Sequence, residues 1–204
     1  MAVSKFQPIS AIEEAYAAGQ RLFGENRVQE AEEKSRALAH LIKSADALQL
    51  ELIGVLQSNK VRKAVASVMR IESIDSVDIG ARVGRVAAES GRTMPVLIQV
   101  DLAREATKAG IPAADLFAAL ESLRGAVGIA VAGVMAIPPF FENPEEVRPF
   151  FARLRSLRDD ATSRGLLAAH ELSMGMSHDF EVAIEEGATI VRIGTAIFGE
   201  RPSK

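Results

Sequence analysis

The sequence predicts an α/β protein built as a single (β/α)8 barrel of the TIM type, one domain over residues 1–204. Three observations predict it. Short apolar runs of strand length alternate with segments of helical period along the whole chain, the pattern of βα units around a parallel sheet. Eight such runs occur, at residues 2–4, 21–24, 50–54, 70–74, 96–100, 129–135, 170–174 and 189–193, which is the number a closed barrel needs. Several of them run into polar or glycine residues, where a barrel of this class places its chemistry. At 204 residues and 21.8 kDa the chain is near the short limit of the fold. The barrel is therefore expected to be shortened at its N-terminus, because the first strand begins almost at Met1.

Each element has a local reason. The first run, AVSK (residues 2–5), ends in Lys5, and the helix after it carries Tyr16 on a face turned from the barrel mouth. The second leads into GENRVQEA (residues 24–31), where Asn26 is placed to cap the next helix or to touch a ligand at the mouth. Glu30, Glu32, Glu33 and Lys34 on that helix read as solvated surface. The third run leads into GVLQSNK (residues 54–60), where Ser58 and Asn59 carry the same two readings as Asn26. Ser76 caps a helix whose apolar face is Ile79, Val83 and Val86, ended by Gly91. Pro112 opens a helix carrying Leu116, Leu120 and Leu123 that stops near Gly125, and Asn143 with Pro144 opens another carrying Val147, Phe150, Leu154 and Leu157.

Composition excludes several function classes. A net charge of -3 leaves no basic footprint for nucleic acid. With no cysteine there is no thiol catalysis, disulfide or zinc-thiolate site, and His40, His170 and His178 lack metal-ligand spacing. No run approaches a membrane span and no basic start precedes an apolar signal segment, so a cytoplasmic protein is expected.

The residues that can do chemistry lie at run ends. Lys5 should project into the barrel mouth. A lysine in a partly apolar interior has a lowered pKa and can form a Schiff base with a carbonyl; the alternative is a surface ion pair. Ser177 sits where the seventh strand turns into a helix near Asp179, with its hydroxyl facing an anion site. Gly194 and Thr195 follow the eighth strand, and the loops after strands seven and eight form the recurrent phosphate site of this barrel class. The ligand expected from that arrangement is a phosphate ester carrying an aldehyde within reach of Lys5. Arg192, two residues before the phosphate turn, can reach the far side of a ring held there. Facing a pyridine nitrogen it would keep that nitrogen unprotonated; the alternative is an ion pair with Glu171 or Glu25. Met135, in AGVMAIPP (residues 132–139), is either barrel packing or a ring contact.

Six ordered motifs, AVSK, FGENRVQEA, LQSNKVRK, GVMAIPP, LSMGMSHDFEVAIEEGAT and VRIGTAIFGER, give the chain a further reading. Over essentially its whole length it resembles the pyridoxal phosphate homeostasis proteins, the alanine racemase N-terminal-domain-like family. The resemblance implies a barrel that holds pyridoxal 5'-phosphate as an internal aldimine on Lys5, with Ser177, Gly194 and Thr195 at the phosphate and Arg192 by the pyridine nitrogen. The candidate cofactor contacts are thus Lys5, Asn26, Met135, Ser177, Arg192, Gly194 and Thr195, with no catalytic residue and no metal. The chain departs from the family at the third strand, where histidines are common and Glu51 and Val55 stand here, and in lacking the family's N-terminal helix ahead of the first strand.

The function implied is cofactor buffering or delivery by a monomer in contact with pyridoxal phosphate-dependent apoenzymes. Two-base racemisation needs a second acid/base, supplied in the racemases by a tyrosine from a further domain, and Tyr16 is the only tyrosine here. The alternatives are a slow amino-acid racemase or related enzyme, and a cofactor-free aldolase using Lys5 on a sugar phosphate.

Overall fold

The computed structural model describes residues 1–103 and 109–199. Its strands are β1 (Ala2–Val3), β2 (Leu22–Glu25), β3 (Gln49–Leu52), β4 (Arg70–Ile74), β5 (Met94–Asp101), β6 (Ile111–Pro112), β7 (Ile129–Met135), β8 (Glu171–Met176) and β9 (Ile190–Arg192). All pair in parallel, in the order β1-β2-β3-β4-β5-β7-β8-β9, with β6 attached outside this path to β5. A parallel bridge between Ala2 and Ile193, with Val3 N–H donating to Ile193 O at 2.7 Å and Ile193 N–H to Met1 O at 3.0 Å, joins the last strand to the first. The eight barrel strands coincide with the eight predicted runs.

Helices α1 (Ile9–Ala17), α2 (Val28–Ala37), α3 (Ala39–Ile42), α4 (Val61–Ser67), α5 (Val77–Glu89), α6 (Leu116–Arg124), α7 (Arg148–Ser163), α8 (Phe180–Glu185) and α9 (Thr195–Phe198) follow the strands. The outer core lies between them and the barrel, with Phe23, Leu50, Leu52, Ile71 and Leu172 among its strand contribution and Ile12, Leu120, Phe151 and Leu154 among its helix contribution. Burying such side chains is worth roughly 1.5–3 kcal/mol each, which is why helices as short as α8 hold. Ser76 caps α5 by accepting from Ile79 N–H at 3.3 Å. Ser76→Ala should cost about 1 kcal/mol, read as a lower urea midpoint with an unchanged slope.

Three expectations are corrected. Pro112 does not open α6: it ends β6, paired with Asp101, and Asp115 stands at the N-cap instead. Asn26 does not cap α2, whose N-cap is Arg27 in extended conformation with no side-chain cap bond. Lys34 is not solvated surface; its side chain is 5 % exposed and its ammonium bonds Glu25 at 2.7 Å, Glu30 at 2.9 Å and the Ser4 carbonyl at 2.6 Å. The reason is β2's alternation, which turns Glu25 outward under α2, where Lys34 of that helix, with the Ser4 hydroxyl, satisfies it.

The same alternation fills the barrel's inside. Leu97, Ala132, Met135 and Ile190 form one cluster there, with Met1, Leu22 and Ala169 against it. Polar groups occupy the rest. Arg70 Nε donates to Glu51 Oε1 at 2.9 Å and its Nη1 to Glu171 at 3.3 Å, while Ser173 Oγ donates to Glu72 Oε2 at 2.7 Å. β4 and β8 are not neighbours in the sheet, so the bonds from Arg70 to Glu171 and from Ser173 to Glu72 run across the interior.

Candidate functional site

The site lies at the C-terminal ends of the strands. A cavity of about 410 Å³ opens there, and Lys5, Asn26, Ser177, Arg192, Gly194 and Thr195 all line it. Six of the seven predicted contacts are thus brought together. The seventh, Met135, is fully buried in the cluster inside the barrel and is not among the cavity's lining residues.

Lys5 is set by its neighbours. Ser4 N–H donates to Gly24 O at 3.0 Å, Ser4 Oγ donates to Glu25 at 2.6 Å, and the Ser4 carbonyl accepts from Lys34. The backbone just before Lys5 is therefore fixed by a buried ion pair. Past it, Phe6 takes a positive φ of 64° and its N–H donates to Glu30, so the chain turns at residues 5–6. Asn26 follows β2 and presses against the end of β3: a Cβ on Gly54 would meet Asn26 O at 2.1 Å, so only glycine admits this approach. The buried Asn26 Oδ1 has no hydrogen-bond donor among the described residues. Asn26 also lines a neighbouring cavity of about 570 Å³ walled by Phe6, Arg27, Val55, Gln57 and Lys60. Ser58 and Asn59 line neither.

On the opposite edge of β1, Ser177 Oγ accepts from Gly194 N–H at 3.2 Å and from Ala196 N–H at 3.5 Å. Two converging backbone N–H groups beside a hydroxyl form a site suited to an anion. Asp179 holds the β8–α8 turn, accepting from Met176 N–H at 2.6 Å. Arg192, 4 % exposed, donates through Nη1 to Ser173 Oγ at 2.6 Å and through Nη2 to Ala136 O at 2.9 Å. Burial pulls its pKa down, and Glu72 and Asp179 raise it. It makes neither of the ion pairs considered for it: Glu171 pairs with Arg70, and Glu25 faces outward to Lys34.

The cavity also holds residues not predicted from sequence: Val3, Ile53, Ile137, Met176 and His178. His178 directly follows Ser177, and that adjacency was the available signal. Its Nε2 lies 3.2 Å from both Phe141 O and Glu142 O, and its ring stacks on Phe140 at 5.1 Å. Against two carbonyls, Nε2 must carry a proton. Tyr16 is remote from the mouth, its hydroxyl donating to Asp46 O at 2.7 Å beside Arg21 at the start of β2. Glu200 and Arg201, which end the last motif, lie outside the described residues.

The family model described as "Alanine racemase, N-terminal domain" matches residues 1–202. A pyridoxal phosphate homeostasis protein of Aquifex aeolicus is 44% identical over 201 residues, 98% of this chain and 86% of the relative. The chain belongs to this family. The human homeostasis protein is 36% identical over 209 residues, covering 98% of this chain and 76% of the relative. Among solved members, PipY of Synechococcus elongatus, with PLP bound, superposes with a TM-score of 0.89 at 44% identity over 98% of this chain and 91% of that one. An alanine racemase of Clostridium difficile shares the fold at a TM-score of 0.76 and 14% identity, but this chain spans only 52% of it.

Proposed function

We propose that this chain binds pyridoxal 5'-phosphate in the mouth cavity, as a Schiff base on Lys5, and serves intracellular homeostasis of that cofactor by buffering or delivering it. The single observation that carries the reading is the meeting, in one cavity, of a lysine, a Ser177–Gly194–Ala196 anion site and a buried arginine. The donor set fits the group. Ser177 with the Gly194 and Ala196 amides would hold the phosphate. Arg192 would face the pyridine nitrogen as a donor that cannot surrender its proton, and the orphaned Asn26 Oδ1 supplies a polar contact that the protein leaves unmade. When bound, the group supplies a reactive aldehyde and an electron-accepting ring; the chain's residues bind it, orient it and set its charge.

The reading favours holding over turnover. Racemisation needs two acid/base groups on opposite faces of the ring. Lys5 is one, but Tyr16 is at the far end of the barrel and the Nε2 of His178 is committed to two carbonyls. The same reading makes the protein a cytoplasmic monomer that meets pyridoxal phosphate-dependent apoenzymes; among the described residues no helix is long and apolar enough to cross a membrane.

The test is reconstitution. After incubation with pyridoxal phosphate and desalting, the protein should keep a visible absorption band, and borohydride should fix it to a peptide containing Lys5. A colourless protein would remove the reading and leave the aldolase alternative.

A further inference from the structure

We propose that Glu51 and Glu72 share one proton inside the barrel, and that Glu51 is thereby a positioning residue, acting through Glu72 and Ser173 on the guanidinium of Arg192 at the mouth. This deepens the reading of the cavity as a pyridoxal phosphate site and rests on it where the cofactor is concerned.

The geometry is a chain with a direction. Arg192 Nη1 donates to Ser173 Oγ at 2.6 Å, and Ser173 Oγ donates to Glu72 Oε2 at 2.7 Å. A hydroxyl has one hydrogen, so Ser173 can accept from Arg192 only while giving its own to Glu72. That requires Glu72 Oε2 to be an acceptor. On the neighbouring strand Glu51 Oε1 accepts from Arg70 at 2.9 Å, and the register that sets Glu51 opposite Arg70 puts Glu51 and Glu72 diagonally across β3 and β4 on the inward face. Each keeps one buried oxygen with no partner among the described residues, Glu51 Oε2 and Glu72 Oε1.

Two carboxylates on neighbouring strands at 2 % and 0 % exposure repel, and each orphaned oxygen lacks the hydrogen bond its burial demands. One proton on Glu51 Oε2, donated to Glu72 Oε1, removes both penalties and leaves Glu72 Oε2 free to accept from Ser173. Burial, with the Glu72 charge adding to it, pushes the Glu51 carboxyl up to about 8 against the pull of Arg70. Among the described residues the charged groups facing the pair are Arg70 on β4, Arg192 on β9 and the amine of Met1, with Glu171 on β8 bonded to Arg70. β5 and β7 contribute Leu97, Ala132 and Met135 to this interior.

The experiment compares the parent chain with E51Q, E51A and E72Q, with and without pyridoxal phosphate. Glutamine keeps an acceptor for Arg70 and a donor for Glu72, so E51Q mimics the protonated acid. A carboxyl whose folded pKa is raised loses stability as pH rises from its unfolded value to its folded one, here from about pH 4.5 to about pH 8. The melting temperature of cofactor-free E51Q should therefore gain on the parent's across that window, while E51A, lacking both partners, melts below the parent throughout. With cofactor, the parent's visible band should shift on titration through about pH 8 and that of E51Q should not. E72Q, which removes the anion, should alter the band at every pH.

A melting deficit in E51Q that is constant or grows with pH would mean that Glu51 serves as the ionised partner of Arg70, and the shared proton would be wrong. The expected melting series with bands that titrate alike in parent and E51Q would overturn the positioning role. If the parent retains no cofactor, the reading of the cavity falls and the positioning role with it, while the melting series still decides the proton.

Discussion

Lys5→Ala is expected to leave no retained chromophore after desalting and nothing for borohydride to fix, because no other lysine among the described residues lines the mouth cavity. The loss should be complete, since a covalent link is either present or not. Lys5→Arg separates the charge from the chemistry: it keeps a cation at the end of β1 but has no amine that can condense with an aldehyde. That variant should show weakened, dialysable binding carried by the Ser177 and Gly194 side of the cavity, and no reduced adduct. Circular dichroism and melting of the cofactor-free variants serve as the fold control. A band that survives in Lys5→Ala would move the attachment elsewhere and remove the Schiff-base assignment.

The second large effect is structural. Lys34→Met should cost about 3–5 kcal/mol, the cost of breaking a buried pair and leaving one charge alone. Glu25, at 0 % exposure, would keep only the Ser4 hydroxyl, and the Ser4 carbonyl would lose its ammonium donor. Glu25 already has a carboxyl raised by burial and held down by the Lys34 and Ser4 bonds. Without Lys34 it rises further. A raised folded pKa is lost stability as pH climbs, so the deficit should be small in acid and largest at neutral pH. Denaturant unfolding at several pH values checks the sign. The double variant Lys34→Met, Glu25→Leu should recover most of the stability, because an apolar pair of similar volume replaces the ionic one. A Lys34→Met protein that is as stable as the parent would show that the buried Lys34–Glu25 pair contributes no net stability.

Much of this architecture is legible in the chain. The eight barrel runs show as short apolar stretches bounded by capping and turn residues. The mouth residues show as the polar and glycine positions immediately C-terminal to those stretches, because in a parallel barrel every strand's C-terminal end faces the same way. The hidden part depends on which side of a strand faces in. LQLEL and RIESI alternate as half-exposed strands do, yet Glu51, Arg70 and Glu72 point into a closed interior and find each other only when the sheet curls round. Lys34 hides for the complementary reason. On its helix it sits among acidic neighbours like any surface lysine, and only the outward turn of Glu25 on β2 makes it a buried partner. Pro112 read as a helix start because β6, two residues attached outside the barrel path, is too short to leave a hydrophobic pattern.

The bridge between Ala2 and Ile193 is where a flat row of strands becomes a tube, and it is held by a two-residue strand. Lys5 stands just past one side of that seam; Ser177, Arg192 and Gly194 stand on the other. A molecule gripped at both places, as proposed for the cofactor, would span that seam. Under the proposed binding mode such a molecule would reinforce the few backbone bonds that already close the wall there, so filling the mouth should also tighten the cylinder.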